Sequence, residues 1–234
     1  MENNFEVVSK VGHDLNKYLA RIKAYNYLLL NRFEKSLNKE EKSFFDGIDQ
    51  ECDSMFRFIS DLITADKISE YGESLDRETV ILNDFLRMFT QRYQASARMK
   101  QLDLQFEDYT HSLYADVNKN TFERALNNLI HNAIKFTPSR GQIKVRLSVC
   151  SCSRFTDIIV ADTGVGIPLH LQPYIFDKFT KAGRKGMDGE ESNGLGMYIT
   201  KNIVEKHGGC IWFETEENKG TTFTFRIPGG RIRS

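Results

Sequence analysis

Asn128 and Asn132 lie one helical turn apart, and Lys135 follows three residues later. Amide oxygens coordinate a hard cation such as Mg²⁺, and a nearby ammonium meets phosphate. Further along, Asp162-Thr163-Gly164-Val165-Gly166 comes directly after an alternating apolar run. A carboxylate at a strand end accepts a hydrogen bond from an amino group such as that of adenine. The glycines permit a sharp bend and close backbone approach. A third piece, Asn193-Gly194-Leu195-Gly196-Met197, opens a helical segment. Glycines there offer N–H groups and the positive end of a helix dipole to phosphates. The polar stretch from Lys178 to Ser192 contains Gly183, Gly186 and Gly189 with Lys181, Arg184 and Lys185. It suits a lid closing over a triphosphate, with Lys181 as a phosphate contact. Each piece alone is weak, because exposed asparagines are usually only solvated and a lone Asp-x-Gly-x-Gly is usually a turn.

Two kinds of element must position these groups. Residues 1–75 read as two helices joined by a short polar link, Glu34 to Lys39. In the first, Phe5, Val8, Leu15, Leu19, Ile22, Leu29 and Phe33 recur three and four apart, with Gly12 and Asn26 in the same register. The second repeats the pattern with Phe45, Ile48, Cys52, Met55, Ile59 and Leu62. Such faces are heptad-like, and a short link makes an antiparallel hairpin. The hairpin leaves a wide apolar face that a second copy would close into a dimeric four-helix bundle. With Phe5, Gly12 and Leu19 at a positions, His13 and Asp14 fall at b and c and face solvent.

Residues 76–234 change style. Strand-like alternation occurs at 143–149, 157–162, 210–214 and 221–227, and helical patterning at about 83–98, 118–136 and 195–207. Asn83 and Asn118 are candidate N-caps, and residues 70–79 read as a hinge between the halves. The expected fold class is therefore α+β: a helical hairpin at 1–75 and a mixed α/β layer domain at 76–234.

Composition narrows the partners. Lys plus Arg (32) equals Asp plus Glu (32), which gives no support for nucleic acid. No apolar run approaches the roughly 18 residues that span a bilayer, and Met1–Asn4 is too polar for a secretion leader. Cys52, Cys150, Cys152 and Cys210 show no metal-ligand spacing and read as reduced thiols. A cytoplasmic chain is expected, whether free-standing or the inner part of a membrane-anchored receptor.

The ordered motifs Asn128–Asn132, Asp162–Gly166, Phe176-Asp177-Lys178-Phe179 and Gly194-Leu195-Gly196 resemble the N, G1, F and G2 boxes of the histidine kinase ATP-binding domain. Gly12-His13-Asp14-Leu15 resembles the same family's H box, in which the histidine is phosphorylated. The resemblance covers nearly the whole chain. It implies a Bergerat-type α/β sandwich, ATP under a lid, Mg²⁺ held by Asn128 and Asn132, and a homodimer. It further implies that the phosphoryl group passes from His13 to an aspartate on a response regulator receiver domain, under an upstream sensor absent from these 234 residues. Asn16, Lys17, Arg21 and Phe58 are candidate docking residues. A neutral imidazole attacks the γ-phosphorus directly, with Asp14 accepting from the other ring nitrogen.

Three residues depart from the family pattern. Ser192 replaces a glycine at the end of the lid. Tyr18 stands where members commonly have proline, which removes a cause of kinking. Lys17 stands where many members carry Thr or Asn to orient water, so weak or absent dephosphorylation of the partner is expected. The gyrase, Hsp90 and MutL type of ATPase resembles the nucleotide motifs but has Glu at the place of Asn128. The alternative function is a pseudokinase scaffold that binds nucleotide and a partner without phosphotransfer. His111, His131, His170 and His207 read as structural, with His207 a cation at a helix C-terminus.

Overall fold

The computed structural model describes residues 4–70, 76–108, 112–149, 154–179, 186–187 and 193–230. The chain divides into two compact units, Met1–Gly72 and Glu73–Ser234.

The first unit is a hairpin of α1 (Asn4–Phe33) and α2 (Lys39–Glu70). Asn38 starts α2 through a reciprocal box: its Oδ1 accepts from Glu41 N at 2.9 Å, and its own N donates to Glu41 Oε2 at 2.8 Å. Two otherwise unpaired groups are thereby satisfied where the chain reverses. Leu19, Cys52 and Ile59 form the buried seam, with Phe56 and Ile63 packed against it. Gly12 is buried because a Cβ there would lie 2.6 Å from Ile63 Cδ1. Asn26, also buried, donates from Nδ2 to the Phe45 carbonyl at 2.8 Å. Thus Gly12, Leu19 and Asn26 of α1 pack on α2, while Leu15, Ile22 and Leu29 stay exposed. α1 is helical through Tyr18 without interruption, as expected where no proline intervenes.

The second unit is a mixed α+β domain. A five-stranded sheet has the order β2 (Asp103–Glu107), β4 (Gln142–Val149), β5 (Phe155–Asp162), β7 (Gly220–Pro228), β6 (Cys210–Glu216). Only the β2–β4 pair is parallel. β1 (Glu78–Ile81) and β3 (Tyr114–Val117) form a separate antiparallel pair. Alternate residues of the central strands, Ile143, Val145, Ile158, Val160, Phe223 and Phe225, are buried under α3 (Leu82–Met99), α4 (Lys119–Phe136) and α5 (Gly196–Lys206). Period-2 burial against helices on one face gives two layers around one core.

The strands at 78–81, 103–107 and 114–117 have no counterpart in the sequence reading. Asn118 caps α4 as expected, accepting from Thr121 N at 3.0 Å. Asn83 does not cap α3. Ile81 occupies the cap without a side-chain bond. Asn83 is buried instead, donating to Asp108 Oδ1 at 2.7 Å and accepting from Leu113 N at 2.8 Å. It ties α3 to the segment before β3. Of the expected hinge at 70–79, residues 71–75 lie outside the described residues.

Candidate functional site

α4 is the common wall of the site in the second unit. Asn128 is fixed on it by α5: its Nδ2 donates to the Gly196 carbonyl at 2.9 Å and to Thr200 Oγ1 at 3.1 Å. A carbonyl only accepts, so the amide orientation is determined, and Oδ1 is the atom left over for a ligand. Among the described residues Asn132, the next turn of α4, has a 3.2 Å side-chain contact from Nδ2 to Met197 Sδ and no other hydrogen bond from its side chain. Two amide oxygens are thus presented beside the start of α5.

α5 begins without a side-chain cap. Gly194, with φ of +66°, turns the chain into it, and glycine adopts that conformation without strain. First-turn N–H groups have no intrahelical acceptor, which makes an uncapped helix start an anion site. A Cβ on Gly196 would sit 3.5 Å from Asn128 Oδ1. Leu195, expected among the ligand contacts, is fully buried, so its side chain is an anchor and only its backbone lies toward the helix start.

The C-terminal end of α4 meets the Asp162 loop. Val165 N donates to the Phe136 carbonyl at 3.1 Å. Asp162, last in β5, accepts at Oδ1 from Gly164 N at 2.8 Å and from Thr221 N at 3.2 Å. Those bonds hold the carboxylate at the end of the central strand. The glycines of this loop serve the protein's own packing. A Cβ on Gly164 would lie 2.5 Å from Phe136 O, and one on Gly166 (φ +66°) 2.2 Å from Glu216 O. A sharp bend and close backbone approach were both expected of these glycines; Gly166 makes the bend, and within the chain the close approaches are to α4 and β6.

Lys135 is buried, its ammonium 5.5 Å from the Phe136 ring centre, and its carbonyl accepts from Met187 N at 3.1 Å. Lys178 Nζ lies 4.9 Å over the Tyr198 ring in the first turn of α5. Lys181 and Ser192 lie outside the described residues, as do His111, Cys150 and Cys152. Thr200 and Thr221 escaped the sequence reading. Thr200 sits one turn after Gly196, a spacing visible in the sequence, whereas Thr221 reaches Asp162 only through the β5–β7 register.

His207 is not a helix-end cation. Its Nδ1 bonds the Ile203 carbonyl at 2.7 Å, and its Nε2 accepts from Asn118 N at 3.0 Å. Accepting at Nε2 requires the neutral ring, and burial lowers the pKa from the usual histidine value. His207 therefore braces the N-cap of α4 from the end of α5.

In the first unit, His13 and Asp14 are exposed on α1 beside the Gly12 packing point. Asp14 Oδ1 accepts from Lys17 Nζ at 3.2 Å, and both side chains are more than half exposed. Lysine, rather than the neighbouring imidazole, is its partner.

Residues 117–231 match the family described as "Histidine kinase-, DNA gyrase B-, and HSP90-like ATPase". The catalytic domain of the histidine kinase ThkA, in a nucleotide-free form, is 30% identical, superposes with a TM-score of 0.56, and is matched over 65% of this chain and 97% of its own length. The chain belongs to the histidine kinase family. The sensor histidine kinase WalK of Bacillus subtilis (strain 168) is 28% identical over 226 residues, 95% of this chain and 36% of the relative. This histidine kinase chain thus spans about a third of the length of that relative. Full-length ShkA, solved in complex with AMPPNP, shares the fold at a TM-score of 0.77 and 22% identity, over 98% of this chain and 47% of its own. No described helix is long and apolar enough to cross a membrane.

Proposed function

We propose that this chain is the catalytic core of a two-component sensor histidine kinase that transfers the γ-phosphoryl group of ATP to His13. Residues 76–234 bind the nucleotide and residues 1–75 present the acceptor. The observation that carries the reading is the locked Asn128 amide, with Oδ1 beside an uncapped helix start. Asp162 receives the adenine amino group. The backbone of Gly194, Leu195 and Gly196 meets phosphate oxygens, with Lys181 as a further phosphate contact and Gly164 and Gly166 shaping the loop; the enclosed Lys135 side chain is not among these contacts.

The donor set suits Mg²⁺. Among the described residues no cluster of three His, Cys, Asp or Glu could hold a metal. Asn128 and Asn132 offer two neutral hard oxygens, and Mg²⁺ typically completes its shell with water and phosphate. When bound it would offset charge on the triphosphate. A ring nitrogen of His13 forms the N–P bond with its lone pair. The bond from phosphorus to the bridging oxygen breaks, and its electron pair leaves on ADP. The other ring nitrogen then gives its proton to Asp14 or water.

The exposed row Leu15, Ile22 and Leu29 is covered by a second copy, which makes the working unit a homodimer. The phosphoryl group then passes to an aspartate on a receiver domain docking near Asn16, Lys17, Arg21 and Phe58, in the cytoplasm, under an upstream sensor. The test is incubation with γ-labelled ATP and Mg²⁺. Wild type gains acid-labile, base-stable label and His13→Ala gains none. Nucleotide binding without label in wild type would instead establish the scaffold reading.

A further inference from the structure

Lys17 departs from the family pattern, and the function above places it near the docking receiver domain but gives it no part in the chemistry at His13. We infer that Lys17 is the cation that holds the phosphoryl group on His13 once it has formed; the inference rests on His13 being the acceptor. His13 and Lys17 are four residues apart on α1, so they are neighbours on one helix face, about 5–6 Å between Cβ atoms. Lys10, exposed and three residues before His13, is the other basic candidate on that face. Helical side chains lean toward the N-terminus. Lys17 therefore leans back over the turn carrying His13, whereas Lys10 leans away from it. The bond from Lys17 Nζ to Asp14 Oδ1 at 3.2 Å shows that lean directly. Arg21 is directed elsewhere, its guanidinium 6.0 Å from the Tyr18 ring centre.

Transfer creates an N–P bond and places a phosphoryl group with about two negative charges one residue from the Asp14 carboxylate. Like charges so close repel. An ammonium has three donors on a flexible stem and serves both anions, whereas Thr or Asn at this place carries no charge. Lys17 thus neutralises Asp14 in the resting chain and bridges Asp14 and the phosphoryl group afterwards. That bridge favours the phosphorylated state against return of the phosphoryl group to ADP.

The measurement is the labelled fraction of the intact chain at equilibrium with fixed ATP, ADP and Mg²⁺. Lys17→Met should lower the ratio of labelled to unlabelled chain about two- to fivefold, the scale of an exposed ion pair. Lys17→Arg should keep it near wild type, and high salt should shrink the gap. The inference is overturned if Lys17→Met leaves the ratio unchanged, or if Lys10→Met lowers it equally. A wild type that takes no label at all overturns the phosphoacceptor reading as well, which separates the two failures.

Discussion

Gly196→Ala separates what this glycine does for the fold from what it does for a ligand. At Gly164 and Gly166 an added methyl would strike backbone oxygens 2.5 and 2.2 Å away, so alanine there damages the protein itself. At Gly196 the nearest atoms, in the Asn128 side chain, are 3.5 Å away, an ordinary contact. Its φ is not in the left-handed region, so alanine fits the backbone. A compatible Gly→Ala change stabilises by about 0.4–1 kcal/mol through the unfolded chain. For a unit of this size that raises Tm by roughly 1–4 °C. The same methyl lies beside Asn128 Oδ1 and the first N–H groups of α5. Filling space that a phosphate needs costs about 1–3 kcal/mol, or roughly five- to 150-fold in affinity. Differential scanning calorimetry without nucleotide and titration calorimetry with ATP and Mg²⁺ read the two effects separately. An unchanged or raised Tm with weakened binding is expected. Wild-type affinity in a folded Gly196→Ala protein would refute the placement of phosphate at this helix start.

The two asparagines should behave differently when changed to alanine. Asn128→Ala loses two hydrogen bonds to α5 and should cost about 1–2 kcal/mol in urea unfolding. Asn132→Ala loses only a sulfur contact and should stay within about 0.5 kcal/mol of wild type. Both should lose Mg²⁺-dependent ATP binding, and retained binding in either would remove that residue from the metal set. His207 should make the second unit acid-sensitive. Its native pKa is depressed, mainly by burial, so below about pH 6.5 the unfolded chain binds a proton that the native ring refuses. Stability is then full above that pH, falls as pH drops through the window down to the native value, and levels off below it. His207→Gln retains a donor and an acceptor without titrating. Urea midpoints at pH 7.5 and 5.5 should differ less in the variant, and an equal loss in both would exclude His207 as the cause.

Residue types and their local spacing determined a good deal. Asn118 is a cap because the capping bond runs to Thr121, three residues away. The alternation in 143–149 and 221–227 marks strands because one sheet face meets the core and the other does not. The hairpin was legible from its heptads, and the order of the nucleotide motifs pointed to the family. Tertiary structure decided whatever depends on what packs from afar. Glu78–Ile81 and Asp103–Glu107 are short strands with mainly exposed residues, and pairing partners define them, not an apolar pattern. Asn83 looks like a cap in isolation, but Asp108 and Leu113 make it a buried bridge. Lys135 and Leu195 belong to the motifs by position, yet their side chains are enclosed. His207 is neutral because Asn118, 89 positions earlier, offers it an N–H rather than an acceptor. Spacing along a chain specifies which groups share a turn. Burial, amide orientation and the protonation of an enclosed ring follow from atoms that approach only after the sheet and helices have packed.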